Sequence, residues 1–107
     1  MDYNKKEKEA IVGVLSAIMY ADGLIDSKEV DCLSRVKYDL GIADDSIIAG
    51  QEMDPREAFN VISAMGDDKK KEVTGMLMRM VYSDTELNVD EYTLFVGLAE
   101  KCGLKVE

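Results

Sequence analysis

Displacing the sequence by 62 residues lays residues 10–42 over residues 72–104 without a gap, and this internal repeat constrains the fold more than any other feature. Identities fall at Gly13/Gly75, Leu15/Leu77, Tyr20/Tyr82, Asp22/Asp84, Glu29/Glu91 and Gly41/Gly103. Six matches in 33 pairs are few, but they hold equivalent places: a turn tyrosine, a turn aspartate, a capping glutamate and a closing glycine. The closing tripeptides also correspond, "LGI" in the first copy and "CGL" in the second. Two like units related by a pseudo-twofold axis are expected.

Each unit reads as a helical hairpin. Within residues 4–21, Ile11, Val14, Leu15, Ile18 and Met19 form the apolar stripe of an amphipathic helix. A second helix is expected over 27–40, with Val30, Leu33, Val36 and Leu40 inward, closed by Gly41 in a left-handed cap with Ile42 following it. A short helix over about 45–50 is weaker. In "MDPREAF", Asp54 is an N-cap, Pro55 the first helical residue and Glu57 the partner in a capping box. That helix should bury Phe59, Ile62 and Met65 and end near Gly66. The fifth helix, in "DDKKKEVTGMLMRMVYS", turns Val73, Met76, Leu77, Met80 and Val81 to one face. The last covers 89–102, with Tyr92, Phe95, Leu98 and Ala99 inward.

No segment alternates with period two, so the fold class is all-α. We expect a compact helical bundle of about five to seven helices, built from two pseudo-twofold-related hairpins in one domain over 1–107. A length of 107 residues suits one core and is too short for two. The 47% hydrophobic fraction supports a globule despite 33% charged residues, and a single proline favours helix. The net charge of −9 argues against nucleic acid and anionic membrane surfaces, and favours cations or basic protein surfaces as partners. No window reaches the run of about 18 apolar residues that a membrane span needs. "MDYNKKEKEA" does not read as a signal peptide, and Cys32 and Cys102 stand apart with no CxxC. A cytoplasmic protein with free, buried thiols is expected, without direct membrane insertion, as a monomer or weak dimer.

A long helix ending in "YADGLIDSKE", a second helix after it, and the later copy "YSDTELNVDE" resemble the TerB family of tellurite-resistance proteins. The same arrangement resembles the N-terminal domain of a membrane-anchored DnaJ-type co-chaperone. The resemblance covers nearly the whole chain. It implies an all-α, two-repeat domain of the cytoplasm, associated with stress response and acting through protein partners, with no enzymatic reaction. One position departs from the first copy: Thr85 stands where the first copy has Gly23, and a β-branched residue is poorly suited to positive φ.

The acidic turns admit two readings. Asp-Gly-x-Ile-Asp-x-x-Glu matches the second half of an EF-hand loop, but the first and third positions would then be Ile18 and Tyr20, where calcium needs oxygen donors. A standard EF-hand is excluded. In the structural reading, Asp26 caps the second helix, Glu29 closes its box, Gly23 relieves the turn and Asp22 accepts turn N–H groups. Such a cap is worth about 1 kcal/mol. Asn88 and Glu91 repeat the box in the second copy. In the functional reading, a twofold between the hairpins brings Asp22, Asp26, Glu29, Asp84, Glu86 and Glu91 onto one face. These carboxylates would repel unless a hard cation, Ca²⁺ or Mg²⁺, sat among them. With no histidine in the chain, structural zinc is disfavoured.

Other features point to contacts rather than chemistry. Met76 and Met80 of "MLMRM" read as core, with Met78 outward as part of a pliable surface. "KKK" at 69–71 reads as a solvated helix start. Residues 39–57 hold six acids against one arginine, a candidate docking face for a basic partner. There is no histidine for general-base work and no phosphate-binding glycine loop, so an enzyme is not expected. The two readings that remain are a non-catalytic protein-interaction module of stress-response type and a divalent-cation-binding domain.

Overall fold

A computed structural model describes residues 3–20 and 27–81, together with Thr93, Val96, Gly97 and Glu100. Helix α1 (Lys5–Met19) starts where the sequence offers the chemistry for it. Asn4 Oδ1 accepts from the Glu7 N–H at 2.8 Å, and the Asn4 N–H donates back to Glu7 Oε1 at 2.9 Å. This reciprocal box satisfies two of the backbone donors that a helix start leaves open.

The expected stripe of α1 is buried in full, yet the helix is not amphipathic beyond its first turns. Ala10, Val12, Gly13 and Ser16 are buried as well, so the wall of α1 is enclosed nearly all round. The cause is its position. α1 touches each of α2 (Ser27–Leu40), α3 (Asp44–Glu52), α4 (Pro55–Ser63) and α5 (Asp67–Val81), and α2 also touches α5. The chain wraps four helices around its first. Thr93, Val96, Gly97 and Glu100 are helical too, inside the segment where a last helix is expected, and among the described residues there is no strand. The radius of gyration is 12.4 Å, against about 13 Å for a compact chain of this length.

Close approach of α3 to α1 depends on two glycines. A Cβ at Gly50 would stand 2.6 Å from the Glu9 carbonyl oxygen and 2.6 Å from Val12 Cβ. One at Gly13 would stand 3.1 Å from the Gly50 carbonyl oxygen and 3.4 Å from Ala58 Cβ. The helices therefore meet backbone to backbone. The identity Gly13/Gly75 does not carry the same job in α5: a Cβ at Gly75 would meet no heavy atom of the described residues within 4 Å.

α2 spans the residues expected of it, and its end is a Schellman motif. Gly41 has φ 63°, the Ile42 N–H donates to the Lys37 carbonyl at 2.9 Å, and the Gly41 N–H to that of Tyr38 at 3.3 Å. Ile42 then enters the core, as anticipated. Leu33 and Val36 are buried and Leu40 is partly buried, but Val30 is 42% exposed, contrary to expectation. At 100° per residue it lies about a quarter turn from the mean direction of the other three, at the edge of the contact.

α4 begins with Pro55 behind Asp54, whose Oδ1 accepts from the Arg56 N–H at 2.9 Å. Glu57 was expected to close a capping box; its carboxylate instead accepts from Lys6 of α1. Ala58, Ile62 and Met65 are buried, and Phe59 only partly. In α5, Val73, Met76, Leu77 and Met80 all face the core, while the side chain of Val81 lies outside the described residues. Met78, expected outward, is partly buried against it. Lys69 also departs from its reading as a solvated residue, since it reaches back to Glu7 across the bundle.

Candidate functional site

The carboxylates first considered for a cation, Asp22, Asp26, Asp84, Glu86 and Glu91, lie outside the described residues, as does the side chain of Glu29. Cys102 does too, while Cys32 is partly buried. Among the described residues no group of three or more His, Cys, Asp or Glu could hold a metal ion. No described helix is long and apolar enough to cross a membrane.

The acidic segment is described throughout, and it builds a surface. Asp39, Asp44, Asp45, Glu52, Asp54 and Glu57 are all exposed. Two of them work locally on helix starts. Asp54 caps α4, and Asp45 Oδ1 accepts from the Ser46 N–H at 2.9 Å in the first turn of α3, where the helix dipole favours negative charge. Three are ion-paired: Asp44 with Lys37, Asp45 with Lys5 at 3.9 Å, and Glu57 with Lys6. Lys37 holds the Asp44 carboxyl below its ordinary pKa through a hydrogen bond, and Glu57 raises the Lys6 ammonium in the same way. Among the described residues, Asp39 and Glu52 hold no ion pair.

Sequence reasoning missed the apolar residue in the middle of this surface. Ile48 of α3 is 58% exposed, whereas Ser46 and Gly50 of the same helix are buried. Positions two apart on a helix differ by about 200°, so Ile48 stands opposite the side that meets α1. Asp44 and Glu52 lie one turn before and after it, with Asp45 and Gln51 three residues away, all exposed. The signal was present in that spacing of polar residues around position 48.

A second cluster was also not anticipated. Lys69 Nζ donates to both carboxylate oxygens of Glu7, at 2.9 and 3.1 Å, and stands 5.5 Å from the centroid of the Tyr3 ring. Tyr3 is only 7% exposed, and among the described residues its hydroxyl makes no hydrogen bond of ordinary geometry. Burial, then the negative charge of Glu72 and more weakly Glu7, push its phenol well above the usual tyrosine range. For Glu7, burial acts to raise the pKa. Hydrogen bonds from Lys69 and from the Asn4 N–H outweigh it, leaving the carboxyl below its ordinary value. The cluster ties α5 to α1.

No protein-family model matches this chain, and no curated protein does. A crystal structure of a protein of unknown function from Porphyromonas gingivalis W83 is similar over the whole chain and 90% of its own length, with 25% identity and a TM-score of 0.85. The compact all-helical arrangement therefore has a counterpart among solved structures.

Proposed function

We propose that this chain is a non-catalytic protein-interaction module whose partner presents a basic surface. The observation that carries the reading is the acidic segment: all six carboxylates between positions 39 and 57 are exposed, and Lys or Arg partners are shown for only three of them. With a net charge of −9, such a face attracts a basic protein before contact and orients it on approach. The absence of histidine from the whole sequence supports a role without acid–base chemistry. The TerB-like pattern in "YADGLIDSKE" and "YSDTELNVDE" supports a stress-response setting.

The test compares immobilised wild-type protein with the double variant Asp39→Lys/Glu52→Lys, which touches no cap and no ion pair among the described residues. Polypeptides captured from a lysate of the source cells are identified and sorted by isoelectric point. Basic polypeptides should be enriched on the wild type, released by salt, and depleted on the variant. Identical sets on the two surfaces would overturn the reading.

A further inference from the structure

We propose that the outer face of α3 is a docking site for a basic amphipathic helix, with Ile48 as its apolar anchor and Asp44, Asp45 and Glu52 as its acidic rim. The inference rests on the interaction-module reading and adds the place and the chemistry of the partner. An aliphatic side chain ringed by polar groups has the layout of a protein interface, where a small apolar centre is desolvated inside a polar margin. Here the centre is Ile48 at 58% exposure, and the margin is exposed at positions 44, 45, 51 and 52.

Charge complementarity selects the partner. Lys5 and Lys37 offset the carboxylates at the N-terminal end of the face, through Asp45 and Asp44. At the other end Glu52 holds no ion pair among the described residues and sits in the last turn of α3, where the helix dipole adds partial negative charge. The uncompensated field is thus concentrated about one turn beyond Ile48. A helix carrying an aliphatic residue with lysine or arginine four positions away repeats that spacing of roughly 6 Å and places a cation against Glu52.

The experiment is a titration of the full-length ¹⁵N-labelled protein, followed by amide chemical shifts at low and moderate salt. One probe is a synthetic peptide with leucine and lysine at helical spacing; the other is oligolysine of equal charge. Shifts centred on residues 44–52 are expected, with the leucine-bearing peptide bound about tenfold more tightly than oligolysine. Ile48→Ser should remove that tenfold advantage without changing the thermal melt, and Glu52→Lys should weaken both probes. Shifts centred on α2, where Val30 is 42% and Tyr38 87% exposed, or unchanged binding by Ile48→Ser, would overturn the α3 site and leave the module reading standing. Failure of both peptides to bind at low salt would overturn the two together.

Discussion

Glu7 and Lys69 are 62 residues apart and joined by two hydrogen bonds, and 62 is also the offset that carries α1 (Lys5–Met19) onto α5 (Asp67–Val81). Each is the third residue of its helix. Any twofold axis relating the two helices must pass close to such a contact, because equivalent positions meet there. Identical charged residues at that place would repel. A glutamate facing a lysine makes this an ion pair instead, and the side chains are only 12% and 29% exposed.

Removing either partner should therefore cost more than at an ordinary surface pair. Glu7→Gln keeps a residue able to close the capping box with Asn4, so it isolates the charge. Glu7→Gln and Lys69→Met are each expected to destabilise by about 1–2 kcal/mol, with a coupling energy near 1 kcal/mol in the double-mutant cycle. Urea unfolding of the four proteins measures it; a coupling of zero would show that the pair only decorates the bundle.

Stability should fall in acid in part through the same residue. The folded-state pKa of Glu7 is depressed below the 4.5 of an ordinary glutamate. Its contribution is then present above that value and lost as pH falls through the lower folded pKa. The stability gap between wild type and Glu7→Gln should be full at neutral pH and shrink as the pH falls below 4.5 and through the depressed folded-state pKa. A gap that stays constant across this range would mean that Glu7 acts through packing alone.

Two helical glycines should respond in opposite directions to the same substitution. Gly50→Ala sets a methyl group 2.6 Å from a backbone carbonyl of α1, so α3 must move outward, and a loss of more than about 2 kcal/mol is expected. Gly75→Ala meets no heavy atom of the described residues within 4 Å and trims the freedom of the unfolded chain, for a gain of about 0.5–1 kcal/mol. Melting temperatures of the two variants decide the matter.

Valine and leucine positions from neighbouring stripes should differ just as clearly. Leu15 is fully enclosed in the central helix, and Leu15→Ala is expected to cost about 3 kcal/mol or more. Val30→Ala, at the edge of α2, should stay within about 0.5 kcal/mol. Similar losses at both would place Val30 inside the core after all.

What the sequence determined by itself is the set of local choices. The bounds of α2, the Gly41 cap, the Asp54–Pro55 start and the buried stripes of α1 and α5 follow from periodicity, capping and backbone sterics acting within about four residues. Tertiary structure decided everything that depends on partners distant along the chain. Sequence periodicity marked one face of α1 as apolar; four helices closing around it buried the rest. Glu57 turned from its own helix start to Lys6, 51 residues away, and Lys69 from solvent to Glu7. Ile48 is exposed because the opposite side of α3, with the small residues Ser46 and Gly50, is the one that meets α1. A helix's own geometry sets which residues share a face. Only the packing of the whole chain sets which face meets water.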